Sequence, residues 1–241
     1  SFVFALPVMA EQAKSHSSFQ MPAYEQLKLD NGLTVFLLPQ HEVPLITVQA
    51  TVRAGAVNDK VAGLSQLTSQ ALLLGAGGKT KAEIEQLVDF LGASLNSDGS
   101  MEGSSLRANF MAKDTEQMLA VLHSVLTQPS FDSAEFDKLK ARQIAAVAQA
   151  KESPRMVMDQ YFNKLVFGSH PYGNASSGTA ESLKSISQAQ VKNFHQSFYQ
   201  PGNTAISIVG DFKPQQMKAQ LQKIFASWKN GDAVKQPDLT A

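Results

Sequence analysis

The pair Asn31-Gly32 constrains the fold of this chain more than any other feature. Both residue types enter left-handed backbone conformations at little cost. They sit between two runs suited to a pleated sheet, Tyr24-Glu25-Gln26-Leu27-Lys28-Leu29 and Leu33-Thr34-Val35-Phe36-Leu37-Leu38. A β-hairpin near the start follows. The run Ile46-Thr47-Val48-Gln49-Ala50-Thr51-Val52-Arg53 alternates β-branched and polar residues, which predicts a third strand ending at Ala54-Gly55. A sheet is therefore begun before any helix.

The first helical spacing spans roughly 60 to 75 and centres on Gly63-Leu64-Ser65-Gln66-Leu67-Thr68-Ser69-Gln70-Ala71-Leu72-Leu73-Leu74-Gly75, stopped by the glycines that follow. Residues three and four apart share a helix face, so Gln66, Ser69 and Gln70 are expected to project together, with Leu67, Ala71 and Leu74 turned into a core. Thr80 and Glu83 form a capping box that starts a second helix through Ile84, Leu87, Val88 and Leu91, ended by Gly92. Strands are expected from Ala93 to about Asp98 and from Ser104 to Ala112, then a helix from Thr115 to Thr127 broken by Pro129. Asp132 and Glu135 open a long helix to about Lys151, and Pro154 opens another to about Val166. Gly168 to Asn174 reads as a loop. Ser187 with Gln190 caps a helix through Phe198, Pro201-Gly202 turns into a strand from Thr204 to Val209, and Pro214 starts a final helix towards Trp228.

Strands first, then helices and strands in an order that is not strictly alternating, imply an α+β fold with helices on one face of a largely antiparallel sheet. One domain from 24 to 228 is the simplest organisation. Residues 229–241 are polar, contain Pro237, and read as a linker towards a second domain.

Apolar residues make up 43% of the 241 and charged residues 17%, enough for a proper core and too apolar for disorder. With 21 basic against 21 acidic residues, the charge favours neither nucleic acid nor an anionic membrane as partner. No cysteine is present, which excludes disulfides, thiolate metal sites and cysteine nucleophiles. The apolar run from Ser1 to Ala10, followed by Glu11-Gln12-Ala13-Lys14-Ser15, looks like the end of a secretory signal peptide cleaved after Ala10; a disordered apolar tail is the alternative. Residues 1–23 are then a signal remnant and polar leader, and the expected location is periplasmic or otherwise exported. No other stretch approaches the ~20 apolar residues of a membrane span.

The ordered set Asn31-Gly32-Leu33-Thr34-Val35, Arg53-Ala54-Gly55, Gly63-Leu64, Gly92-Ala93-Ser94-Leu95-Asn96, Phe167-Gly168-Ser169-His170-Pro171-Tyr172-Gly173 and Val209-Gly210-Asp211 resembles the pitrilysin/insulinase family of zinc peptidases, which includes mitochondrial processing peptidase. The resemblance covers nearly the whole chain after the leader and implies a pitrilysin-like half-domain. Active members carry His-x-x-Glu-His on the first helix, two imidazoles for zinc and a Glu to activate water. Here the pattern falls on Gln66-Leu67-Thr68-Ser69-Gln70, and the third ligand, a Glu in the family, falls on Ala146 when Glu152-Ser153-Pro154 is taken as the anchor. Zinc favours imidazole, thiolate and carboxylate, so two amides and a hydroxyl will not hold a catalytic ion.

The resemblance further implies that substrates lie as an extended strand on a sheet edge, here Ser94-Leu95-Asn96-Ser97, inside a chamber of four such domains. Main-chain pairing at that edge does not need the metal. The leading expectation is a non-catalytic subunit without its own cofactor, paired with a zinc-bearing relative and contributing chamber wall and peptide contacts. A stand-alone peptide-binding or scaffold protein is the alternative, and a zinc endopeptidase with atypical ligands the third. His16 lies in the leader, His41 in a loop, and His123, His170 and His195 lack a helical i+4 His or a suitable acidic neighbour, so all five read as surface or ordinary hydrogen-bonding histidines. Ser69, Ser104 and Ser105 lack a nucleophile-elbow setting, and Gly75 to Thr80 has the wrong glycine spacing for a phosphate loop.

Overall fold

The computed structural model describes residues 22–150 and 152–239. The expected cleavage after Ala10 lies outside them. Strands β1 (Glu25–Lys28) and β2 (Thr34–Pro39) form the hairpin around Asn31-Gly32, antiparallel with Leu27 opposite Val35. The turn does more than reverse the chain. The Asn31 side-chain amide donates to the carbonyls of Phe225 and Trp228 at 2.9 and 2.8 Å, at the end of the last helix. Helix C-termini leave carbonyls without intrahelical partners, and this amide satisfies two acceptors there.

Strand β3 (Leu45–Val52) follows, then helix α1 (Leu64–Ala71), extended by a 3-10 turn over Leu72–Leu74. The helix expected from about residue 60 starts at Leu64 instead. Asp59 is the reason: its carboxylate accepts from the backbone amides of Gly63 at 3.0 Å and Ser65 at 2.8 Å, which fixes the preceding segment as a cap. The glycines after Leu74 do not merely end the helix. Gly75–Ala76 (β4) pairs with Lys79–Thr80 (β5) across a two-residue turn.

Helix α2 (Lys81–Phe90) begins at the capping box, where Thr80 N–H donates to Glu83 at 2.7 Å and Glu83 N–H donates to the Thr80 hydroxyl at 3.3 Å, a cap contributing about 1 kcal/mol. Strands β6 (Ser94–Gly99) and β7 (Ser104–Met111) form the second hairpin, followed by α3 (Thr115–Thr127), α4 (Ser133–Ala150) and α5 (Pro154–Phe167). A six-residue helix, α6 (Ala180–Ser185), has no counterpart in the sequence expectations. Helix α7 (Gln188–Phe198), strand β8 (Thr204–Gly210) and helix α8 (Pro214–Phe225) complete the order. Trp228 lies beyond α8 but is buried against it, with its ring 6.0 Å from that of Phe225.

Six strands join in the order β1-β2-β8-β3-β7-β6. Every pair is antiparallel except β2 with β8, which brings late and early chain together side by side. Alternation along the central strands sorts the two faces. Ile46, Val48, Ala50, Leu106, Ala108, Phe110, Ile206 and Ile208 are buried under the helices. Thr47, Gln49, Arg107 and Asn109 stand on the uncovered face and bond across strands, Thr47 to Asn109 at 2.8 Å and Arg107 to Gln49 at 2.8 Å. This is the one-sided α+β layer that the alternation in the sequence implies.

Helix α5 is the exception to core-facing amphipathicity. Met158, Tyr161, Phe162 and Leu165, at helical i, i+3, i+4 and i+7 spacing, are 66%, 74%, 60% and 85% exposed. The polar segment after Trp228 runs extended against the domain: the Asn230 amide donates to the Asn31 carbonyl at 2.7 Å, and that of Gln236 to the Arg53 carbonyl at 2.9 Å.

Candidate functional site

Helix α1 packs against β6, β7, α4 and α7. Its polar residues do not share one fate. Ser69 is fully buried, while Gln66 and Gln70 are half-buried at the surface, so the expected common projection of the three is corrected. Spacing assigns them one face, but Ser69 lies on its inward side, where its hydroxyl bonds to the Tyr199 hydroxyl at 3.1 Å. Tyr199 sits just past α7 and stacks on His195, with ring centroids 4.8 Å apart. Burial pushes the Tyr199 phenol up, opposed by the Ser104 and Ser69 hydroxyls, so it is a neutral partner at neutral pH. The position that carries the water-activating carboxylate in the family pattern is filled here by a closed hydroxyl pair.

Gln66 reaches the other way. Its Nε2 donates to Asp98 Oδ1 at 2.7 Å, and its Oε1 accepts from Gly99 N–H at 2.9 Å, so both ends of the amide are engaged by β6. Gln70 makes no side-chain hydrogen bond among the described residues. Ala146 is exposed on α4 and lines a shallow depression with Gln149, Ala150, Glu152 and Ser153, none of them on α1. The next residue, Val147, is the one turned into the core. Ala146 is thus not brought together with Gln66, Ser69 or Gln70 in one pocket.

Ser94, Leu95, Asn96 and Ser97 lie on β6, at the edge of the sheet, paired among the described residues on one side only, with β7. The edge position expected from the resemblance is therefore where the strand stands.

Among the described residues, no group of three His, Cys, Asp or Glu side chains gathers as a metal-holding cluster. His195 Nε2 donates to the Leu126 carbonyl at 2.9 Å, and burial depresses its imidazolium to about 4, so it is a neutral packing residue. His41 pairs with Asp211 at 2.7 Å on the exposed side of the domain, and His170 Nδ1 accepts from Tyr172 N–H at 3.2 Å in its loop. No helix is long and apolar enough to cross a membrane among the described residues.

Two residues that bear on α1 were missed from sequence. Tyr199 has no local signal, because its partner lies 130 positions away. Asp59 was readable in principle as an acidic cap four to six residues ahead of the amides it accepts from. Burial raises its carboxyl to about 7, against the opposing hydrogen bond from Ser65 N–H. The folded state therefore holds this proton more tightly than the unfolded chain. The contribution of Asp59 to stability is largest below about pH 4 and is lost as pH rises through 7. Urea midpoints between pH 4.5 and 7.5 should fall by less in Asp59→Asn than in the unsubstituted chain; an equal fall would assign the effect to other groups.

A one-sided α+β layer with α1 packed under the edge strand β6 is the arrangement that the resemblance implies, and α1 carries amides at 66 and 70 and a buried hydroxyl at 69. Residues 35–180 match the family described as Insulinase (Peptidase family M16), and residues 185–241 match the Peptidase M16 inactive domain. The chain belongs to the insulinase family, peptidase family M16. Among similar proteins, the zinc protease PqqE of Helicobacter pylori is 23% identical over 227 residues, covering 91% of this chain and 50% of its own length. The non-peptidase homolog YmxG of the same organism is 24% identical over 199 residues, covering 82% and 46%. Cytochrome b-c1 complex subunit 1 of Bos taurus is 21% identical over 208 residues, covering 86% and 43%. The chain spans about half the length of the curated relatives it matches. A Peptidase M16 inactive domain from Pseudomonas fluorescens superposes with a TM-score of 0.83 at 25% identity, over 90% of this chain and 54% of that one. A Helicobacter pylori protease superposes with a TM-score of 0.84 at 21% identity, over 91% and 54%, a likeness of fold.

Proposed function

We propose that this chain is a non-catalytic member of the insulinase family that pairs with a zinc-bearing relative, supplies part of the chamber wall, and holds extended peptide along β6. The observation that carries this reading is the divergence between two neighbouring features. Positions 66, 69 and 70 carry amide, buried hydroxyl and amide, the first two committed to internal bonds and the third a poor zinc ligand, while β6 keeps an edge without a strand partner among the described residues. Strand addition draws on main-chain groups and is indifferent to the loss of ligands. The non-peptidase homolog among the relatives supports a non-catalytic role, and the b-c1 complex subunit supports membership of an assembly. The exposed stripe of Met158, Tyr161, Phe162 and Leu165 supports a partner as well, since apolar faces of this kind mark interaction surfaces. The apolar run from Ser1 to Ala10 supports export, with a periplasmic location as the proposal.

Co-expression with a His-x-x-Glu-His relative from the same genome tests the pairing. A stable complex that cleaves peptide faster than the relative alone is the expected result. A monomer that binds peptide by itself would move the assignment to a stand-alone peptide-binding or scaffold protein. Metal analysis of the purified chain should give less than about 0.1 zinc per molecule, because amides compete poorly with imidazole and carboxylate. Stoichiometric zinc would instead revive an endopeptidase with atypical ligands.

A further inference from the structure

We propose that Gln66 is a built-in stop for a docked strand: its side-chain amide occupies the open edge of β6 at Gly99, so an extended peptide pairs with Leu95 and Ser97 and goes no further. The inference rests on the reading of β6 as a peptide edge.

The pairing pattern of the β6–β7 hairpin decides which groups face outward. Ser100 N–H donates to the Gly103 carbonyl at 2.7 Å, which makes these opposite residues a hydrogen-bonded pair. In an antiparallel ladder such pairs alternate with non-bonded ones, so Asp98, Asn96 and Ser94 direct their main chains to β7. Leu95, Ser97 and Gly99 direct theirs away from it, and β6 has no other strand neighbour among the described residues. The main-chain groups of Leu95 and Ser97 have no partner outside β6 and β7 among the described residues. Gly99 does have one. Its N–H donates to Gln66 Oε1 at 2.9 Å, while Gln66 Nε2 is held by Asp98 Oδ1 at 2.7 Å.

A primary amide carries the same acceptor and donor as a peptide group, so Gln66 stands at the edge as one residue of a substitute strand. The close approach of α1 makes this possible. A Cβ built on Gly99 would lie 3.1 Å from Gln66 Cα and 2.8 Å from its Oε1, so only glycine lets the helix pass directly beneath the end of the strand. From there the Gln66 side chain reaches around to the edge. Gln66, at a position that the resemblance gives to a zinc ligand, closes the end of the edge instead. A peptide strand advancing along β6 meets, at Gly99, an N–H already paired and the Gln66 side chain standing in its path, and must leave the sheet there. The two available residues are separated by a single strand repeat, about 6.6 Å. Recognition is thereby confined to a short extended stretch, and a longer peptide gains no further main-chain pairing.

Amide exchange and peptide titration, followed by NMR on the 241-residue chain, test the stop. In the free chain, Gly99 N–H should exchange more slowly than those of Leu95 and Ser97, and Gln66→Ala should remove that protection. The probe is a synthetic nonapeptide, Lys-Thr-Val-Thr-Val-Thr-Val-Thr-Lys. Added to the unsubstituted chain, it should slow exchange at Leu95 and Ser97 only. In Gln66→Ala the protection should extend to Gly99, with affinity rising about tenfold for the added pair. Equal exchange at all three positions in the free chain, or peptide protection of Gly99 with Gln66 present, would overturn the stop and leave peptide docking intact. Absence of binding to both chains would overturn peptide docking, while the free-chain exchange still decides whether Gln66 closes the edge.

Discussion

Replacing Ser69 with glutamate should cost about 3–5 kcal/mol of folding stability, a loss expected for an uncompensated carboxylate placed in a packed interior. Ser69 is fully buried, and among the described residues its side chain bonds only to the Tyr199 hydroxyl. A carboxylate there would have Tyr199 as a single donor. Nearby groups are already committed: Ser104 donates to the Ala54 carbonyl at 2.7 Å, and His195 Nε2 donates to the Leu126 carbonyl. The larger side chain would also push into Tyr199, which is fixed by stacking on His195. Ser69→Ala, which removes one of the two hydroxyls that Tyr199 bonds to and leaves Ser104, should cost about 1 kcal/mol. Urea unfolding followed through the fluorescence of Trp228, the one tryptophan, separates the two. Equal small losses would mean that the helix can roll position 69 out to solvent.

That result bears on function as well as stability. If Ser69→Glu is costly, the water-activating group cannot be restored by one substitution, because the packing around Tyr199 has closed over its place. A third ligand meets a similar obstacle. A glutamate at position 146 would stand on the exposed side of α4, while one at position 147 would displace the buried Val147. Restoring the family's pattern at positions 66, 69, 70 and 146 would therefore meet resistance from the surrounding core as well as needing new residues on α1.

Much of this was legible before the structure, for reasons that are local. Asn31-Gly32 specifies its own turn, Thr80 and Glu83 satisfy each other within one helical turn, and strict alternation in β3 and β7 sorts the sheet faces. What was not legible depends on distant partners or short reach. Helical spacing placed Gln66, Ser69 and Gln70 on one side, yet the division between inside and outside is set by Tyr199 and by Asp98 and Gly99 on β6. Asp59 moved the start of α1 by bonding forward to Gly63 and Ser65. Helix α6 has six residues, too few for a periodic pattern to show. The parallel pairing of β2 with β8 joins residues some 170 positions apart, and nothing in either run distinguishes a parallel neighbour from an antiparallel one.

That long-range pairing is also where one methyl group should do the most damage. Gly210→Ala is expected to cost about 4 kcal/mol or more, or to prevent folding, because the new Cβ would fall 2.0 Å from the Leu45 carbonyl oxygen and 2.8 Å from Ile46 Cα. Both contacts are backbone, so no rotamer relieves them. The residue has φ +139, which side chains rarely adopt, and it is held on both sides, opposite Pro39 of β2 and Ile46 of β3. The backbone ties next to it leave little room to shift: Gly210 O accepts from Gln40 N–H at 2.7 Å, and Asp211 N–H donates to Leu45 O at 3.0 Å. Gly92→Ala is the control. It also has a positive φ, +60, but nothing lies within 4 Å of its added Cβ, so only the conformational cost of about 1 kcal/mol applies. Thermal unfolding of the two variants should therefore differ widely although both replace a left-handed glycine. If Gly210→Ala unfolded no earlier than Gly92→Ala, the β3–β8 ladder would have to yield at its end.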